Sequence, residues 1–265
     1  MMLNLEIRAR RFKFYRMLIP FILFLVLSPL TNAKTANTDP FYFVQITDTH
    51  FGSPSSSERT STIIDSINRL PYKIDFTVLS GDIFDKRIDD KNVDEALNIL
   101  KTLNMPLHFI AGNHDLAGYD AAFYKEKIGK LNYNLEHKGY RLAFISSFHS
   151  EKNPMEEVVS QFKKQLSGNT LPLILFHHEP FINHCYDDAV LKTWEELLTR
   201  CHCVAIISGH LHRDGLNWFG GIPEYISSCV VKFEGRQASY RLYKCQNQRL
   251  SYTTFYIQVP YESLF

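Results

Sequence analysis

The apolar positions of this chain fall into short, nearly continuous runs. "YFVQIT" (42–47), "FTVLS" (76–80), "LHFIA" (107–111), "RLAFIS" (141–146), "LPLILF" (171–176) and "CVAIIS" (203–208) have the length of strands. Their unbroken hydrophobicity predicts strands covered on both faces. Between them the apolar residues recur at helical spacing, in "TSTIIDSINRL" (60–70), "NVDEALNILKTL" (92–103), "MEEVVSQFKKQL" (155–166) and "AVLKTWEELLTRC" (189–201), the second after an Asp90 or Asn92 cap. This alternation of strand and helix predicts an α/β architecture. The last fifty residues change character: "GLNWFG", "PEYISSCVV", "ASYRLYKC" and "LSYTTFYIQV" read as strands joined without helices, hence antiparallel. One mixed sheet, or two packed sheets with helices outside, accommodates both halves.

Residues 1–33 stand apart. Arg8, Arg10, Arg11, Lys13 and Arg16 precede the apolar run "MLIPFILFLVLSPL" (17–30), and Thr31 and Ala33 supply small residues at −3 and −1 of a cleavage point. That order is a secretory signal, which predicts export to the periplasm or beyond. The run of 14 is short for a membrane span of ~20 residues; an uncleaved membrane anchor is the alternative, and a buried core helix the third. The boundaries that follow are a signal or anchor at 1–33, a linker at 34–40, one domain at 41–258 and a tail at 259–265.

Composition adds limits. A chain of 265 residues, 45% hydrophobic, builds one substantial core. Without residues 1–33 the 29 basic and 28 acidic groups become 24 and 27, a net charge of −3, so there is no nucleic-acid footprint. Cys185, Cys201, Cys203, Cys229 and Cys245 are odd in number, so at least one is not paired within the chain. A zinc site at Cys185, Cys201 and Cys203 competes with a plainer reading, small buried hydrophobes, which is preferred. Oligomeric state has no sequence signal.

The chemistry gathers where strands end. Five of the buried runs are followed by metal-binding residue types: Asp48 and His50; Asp82 and Asp85; Asn113, His114 and Asp115; His177 and His178; His210 and His212. Ligands bind outside the carboxyl ends of strands in open α/β sheets, so these groups are expected to converge. Gly, Asn and Asp are common in turns, but His is not. Imidazole, carboxylate and amide without thiolate suit Fe, Mn, Zn or Co. The set is too large for one ion and fits a pair ~3.5–4 Å apart bridged by a carboxylate.

The blocks Asp48-x-His50, Gly81-Asp82-x-x-Asp85, Gly112-Asn113-His114-Asp115, His177 and Gly209-His210-x-His212, in that order, resemble the calcineurin-like metallophosphoesterase superfamily. Within it, the compact bacterial cyclic AMP phosphodiesterase-like branch is the most similar. The resemblance runs from residue 42 to about 245. It implies a four-layer α-β-β-α sandwich of two mixed sheets flanked by helices. It also implies two divalent or trivalent ions, Fe, Mn or Zn. Asp48, His50 and His212 would hold the first ion, Asn113, His177 and His210 the second, and Asp82 would bridge them. His114 would face the substrate, oriented by Asp85.

The expected reaction is hydrolysis of a small phosphomonoester or phosphodiester by in-line attack of a metal-bridging hydroxide. A cyclic nucleotide phosphodiesterase is the alternative, weakened by export; a non-catalytic metal-binding module on the same fold is the rival of another class. Membrane contact would arise only through an uncleaved N-terminal segment. One departure is His177-His178-Glu179-Pro180, where relatives often read His-His-Pro-Pro. Glu179 then either adds an acid near the phosphate pocket or points to solvent, and His178 is expected to pack or hydrogen-bond. Lys86 and Arg87 are read as a solvated pair, with phosphate attraction as the alternative.

Overall fold

The computed structural model describes residues 39–86, 89–150, 153–182, 186–230 and 237–258. The expectations for residues 1–33 and 259–265, and those for Arg87 and Cys185, lie outside them. In chain order the elements are β1 (Phe41–Ile46), α1 (Ser56–Asn68), β2 (Phe76–Ser80), α2 (Asp90–Leu100), β3 (Leu107–Ile110), α3 (Asn113–Gly118) and α4 (Ala121–Lys127). Then follow β4 (Asn132–His137), β5 (Tyr140–Ile145), a small ribbon of β6 (His149–Ser150) and β7 (Asn153–Pro154), α5 (Met155–Gln165), β8 (Leu173–His177) and α6 (Asp188–Arg200). The chain closes with β9 (Cys203–Ser208), β10 (Gly215–Phe219), β11 (Ile222–Ile226), β12 (Ala238–Gln246) and β13 (Arg249–Ile257).

Two mixed sheets result, β13-β12-β1-β2-β3 and β10-β11-β9-β8-β5-β4. The order β1-β2-β3 is parallel, as is β5-β8-β9, because helices cross between those strands. The C-terminal strands close the edges with the antiparallel pairs β10–β11 and β12–β13. The predicted α-β-β-α sandwich is therefore what the chain forms.

Three apolar cores separate the four layers, and the pleat assigns each residue to one of them. On β1, Phe41 and Phe43 face the other sheet, whereas Val44 and Ile46 join the layer containing Ile63, Ile64 and Ile67 of α1. On β8, Ile174 and Phe176 face the other sheet, whereas Leu173 and Leu175 pack with Trp194, Leu197 and Leu198 of α6. Between the sheets, Phe43 stacks on Phe76 and on Tyr243, with centroids 5.2 and 4.7 Å away. Burying each such ring is worth about 1.5–3 kcal/mol.

Toward the site, this inner core turns polar. Gln45 is fully buried; its amide donates to Ser80 Oγ (2.8 Å) and to the Ser208 carbonyl (2.8 Å) and accepts from the Tyr243 hydroxyl (3.0 Å). These bonds tie β1 to strands of both sheets, just below the strand ends where the candidate ligands lie. The predicted cap of α2 moves by one residue or more: Asp89, not Asp90 or Asn92, accepts from the Asn92 N–H.

Candidate metal centre

All five predicted strand ends arrive at one place. In three groups, Asp48 with His50 and His212, His50 with Asp82 and His114, and Asp82 with His178 and His210, the ligand atoms lie within 4.8 Å of one another. Four of the seven predicted ligands (Asp48, His50, Asp82, Asn113) follow strands of the first sheet, and His210 and His212 follow β9 of the second. The site thus straddles the two sheets.

In the first group His212 Nε2 is 3.1 Å from Asp48 Oδ1 and 3.2 Å from His50 Nε2. Two imidazole nitrogens this close together beside a carboxylate are a cation's surroundings. Donors ~2.1 Å from a common ion stand ~3.0–3.4 Å apart, which matches this spacing. Burial, its first cause, lowers the pKa of His50 despite the Asp48 and Asp82 charges, and so favours the neutral imidazole that binds metal. The carboxyl of Asp48 stays below its usual range: burial opposes that, but the hydrogen bond and charge of His212 and the charge of His178 outweigh it.

Asp82 joins His50 of the first group to the third. Its Oδ2 is 3.8 Å from His50 Nε2 and 3.2 Å from His178 Nε2, while its Oδ1 accepts from the His114 N–H at 2.9 Å. His210 packs its ring edge-on to His178, 5.1 Å between centroids, and its backbone N–H donates to Asp48 Oδ2 at 3.1 Å. Asn113, the first residue of α3, has its side-chain oxygen buried without a hydrogen-bond partner. Buried polar atoms are normally satisfied, so such an oxygen marks a ligand position. The donor set therefore fits two ions.

One assigned ligand changes. The expected role of His177 does not fit, because its imidazole is already satisfied: Nδ1 bonds the Ile145 carbonyl at 3.0 Å and Nε2 the Tyr186 hydroxyl at 3.1 Å. The ring also stacks on Phe148 at 4.8 Å. His178, expected to pack or hydrogen-bond, takes the place beside Asp82. Its Nδ1 donates to the Ser80 carbonyl at 2.8 Å, so Nε2 is the nitrogen left to face a cation; burial opposes protonation there, but the charge and hydrogen bond of Asp82 raise the pKa, and a cation would displace that proton. The pleat explains the exchange: Leu173, Leu175 and His177 face the helices, whereas Ile174, Phe176 and then His178 face the opposite sheet.

Asp85 also differs from expectation. Its backbone carbonyl, not its carboxylate, contacts His114 Nδ1; the carboxylate is 3.8 Å from that nitrogen and 3.5 Å from His50 Nδ1. It thus stands behind a candidate ligand while its main chain orients His114. Glu179 does not reach solvent: it is buried and accepts from Ser147 Oγ at 2.7 Å.

Asp115 acquires a role that the sequence reading did not give it. Its buried carboxylate accepts from the N–H groups of Gly112 (2.8 Å), Phe84 (3.0 Å) and Ile83 (3.2 Å), tying the loop after β2 to the start of α3. Burial, then the charge of Asp82, pushes its carboxyl up to about 7.

Local backbone completes the site. Asp48, His50, Asp82, His210 and His212 all adopt positive φ, between 43° and 66°. Non-glycine residues in the left-handed region cost about 1–3 kcal/mol each and persist only where surrounding structure imposes them. Two glycines permit close approach: a Cβ on Gly112 would meet Asp82 Oδ1 at 2.1 Å, and one on Gly81, whose φ is +99°, would meet His178 Nδ1 at 2.2 Å.

Residues 41–214 match the family model described as calcineurin-like phosphoesterase. The chain belongs to that family. This phosphoesterase is accordingly a metal-dependent phosphoester hydrolase, of a family that binds two divalent metals. It is 26% identical over 216 residues to a probable cyclic nucleotide phosphodiesterase of Psychrobacter arcticus, covering 69% of this chain and 77% of the relative. It is 29% identical over 182 residues to the metallophosphoesterase YkuE of Bacillus subtilis, covering 66% and 59%. Among solved structures, a dimetal phosphatase from Danio rerio superposes with a TM-score of 0.57 at 14% identity, covering 82% of this chain and 99% of that one. The Plasmodium inner-membrane-complex anchor GAP50 gives 0.62 at 14%, covering 84% and 90%. At such identities the structural likeness speaks for the fold alone.

Proposed function

We propose that this phosphoesterase is exported and hydrolyses a small phosphodiester or phosphomonoester. The observation that carries the catalytic reading is the sharing of Asp82 between two groups of donors. In it, Asp48, His50 and His212 would hold one ion, Asn113, His178 and His210 the other, and Asp82 would serve both. The donor chemistry suits Fe, Mn or Zn. When bound, such a pair of ions polarises phosphate oxygens and lowers the pKa of water.

The protein's own groups do the rest. Asn113 contributes an oxygen without adding negative charge that would repel a phosphate. His114, its ring 41% exposed and its Nδ1 held by the Asp85 carbonyl, is the proton donor to the leaving oxygen. Asp115 keeps the two loops that carry Asp82, Asn113 and His114 at a fixed spacing. Export rests on the pattern of residues 1–33; among the described residues no helix is long and apolar enough to cross a membrane.

A second reading, a cyclic nucleotide as substrate, is favoured by the names of the Psychrobacter relative and of one from Colwellia psychrerythraea. Purified protein with Mn²⁺, assayed on bis(p-nitrophenyl) phosphate, p-nitrophenyl phosphate and cyclic AMP, separates the readings. Equal turnover by wild type and Asp82→Ala would remove the catalytic one. Sequencing the N-terminus of protein recovered from expressing cells tests export: a start near residue 34 supports it, and an intact Met1 in the cytosolic fraction does not.

A further inference from the structure

The C-terminal hairpin, β12 and β13, lies beyond the family-model match, which ends at residue 214. It nevertheless reaches the candidate centre through one buried cation. Arg241 of β12 is 1% exposed, and its Nη2 donates to Asp214 Oδ1 at 2.7 Å. The same carboxylate accepts from the Ser228 N–H at 3.2 Å and, on its other oxygen, from the Tyr256 hydroxyl of β13 at 2.6 Å. Ser228 in turn donates its hydroxyl to the His212 carbonyl at 3.3 Å.

Arg241 itself has little freedom. Its guanidinium lies 4.3 Å over the Tyr252 ring, and its Nε donates to Thr254 Oγ1 at 3.2 Å. Asp214 is thus held by three donors, two residues after His212. His212 needs such holding, because it sits at φ +50° and must present Nε2 to Asp48 and His50. Arg241 is buried while the Asp214 side chain stays 26% exposed, so the carboxylate is the group that meets the charge of the buried guanidinium.

We infer that Arg241, acting through Asp214 and Ser228, is a positioning residue for the His212 side of the metal centre. The C-terminal hairpin is thereby part of the catalytic apparatus and more than a sheet edge. The inference rests on the two-ion reading above, in which His212 serves one ion and His178 with His210 serves the other.

The test is Mn²⁺ titration of metal-free wild type, Arg241→Leu and Arg241→Lys, followed by calorimetry and by the electron spin resonance of the loaded pair. Loss of an outer partner of a metal ligand costs about 10–100-fold in affinity. Arg241 stands two residues further out than such a partner, so Arg241→Leu is expected to weaken one of two binding steps by about three- to tenfold and leave the other unchanged. Arg241→Lys, which keeps a cation beside Asp214, recovers part of the loss. If Arg241→Leu does not fold, Asp214→Asn takes its place in the same titration. Lower thermal stability with both binding steps unchanged overturns the inference and leaves the two-ion reading intact; a wild type that binds fewer than two ions overturns that reading itself.

Discussion

His178 Nε2 lies 3.2 Å from Asp82 Oδ2, a contact that joins a strand end of one sheet to a strand end of the other. His177, one residue earlier, turns the opposite way and is closed off by Ile145 and Tyr186. Substitutions at the two positions are therefore expected to differ in kind. His178→Ala should lose at least about 100-fold in turnover and one bound ion, since even an outer partner is worth about 10–100-fold in metal affinity. His177→Phe keeps the stack on Phe148 but removes the imidazole's bonds to the Ile145 carbonyl and the Tyr186 hydroxyl, a cost of about 1–3 kcal/mol in stability with both ions retained. Metal analysis beside denaturant titration checks both; the reverse pattern would restore His177 as the ligand.

His114 does not belong to either ligand set proposed above. His114→Ala is expected to lower kcat by about 10²–10⁴-fold with metal content unchanged. Loss of metal in step with activity would make it a ligand instead.

Gly81→Ala tests the close approach under His178. The added Cβ would stand 2.2 Å from His178 Nδ1, on backbone of φ +99°. Stability should fall by more than about 1 kcal/mol, because alanine at positive φ is strained wherever it sits, and the second ion should bind more weakly. Alanine tolerated with full metal content would mean that the Ser80–His178 bond does not fix the ligand.

Metal removal should destabilise the protein. An ion held at about 100 times its dissociation constant adds about 2.7 kcal/mol per site, because it binds the folded state alone. Chelator dialysis is expected to lower the melting temperature and Mn²⁺ to restore it, by less in Asp82→Ala, which loses the shared carboxylate.

Glu224 sets a pH dependence away from the centre. It is buried on β11, and burial pushes its carboxyl up to about 7 even though the Phe181 N–H donates to it at 2.8 Å. The folded chain therefore keeps a proton that the unfolded chain releases near 4.5. Its contribution is intact below that lower value and is lost as pH rises through about 7. Glu224→Gln, which keeps an acceptor for Phe181, should be more stable than wild type by up to about 3 kcal/mol at alkaline pH and barely so near pH 5. Urea titrations at the two pH values decide it; an equal difference at both would mean that Glu224 does not take up a proton on folding.

Much of this was legible along the chain. The alternation of apolar runs and amphipathic helices gives the α/β class but leaves one mixed sheet or two packed sheets open, and the four-layer order rested on the family resemblance. The convergence at the strand ends follows from parallel order, which sends every carboxyl end the same way. Even the choice of His178 was within reach, since its parity with Phe176 and Ile174 puts it on the inner face. β4 was not legible: it is an edge strand, half-buried along "NYNLEH", with no apolar run to announce it. Nor was α3, whose six residues read as a turn.

The sequence by itself determined which residue types stand at the strand ends, and hence that cations belong there, while phosphate chemistry came with the family resemblance of those blocks. Only the tertiary structure decided which imidazole is left to face a cation, which carboxylate orients rather than ligates, and that Arg241 reaches Asp214. The physical reason is range. Periodicity is a local property of the chain, whereas a hydrogen bond that uses up His177 or holds Asp214 depends on atoms brought together from distant strands.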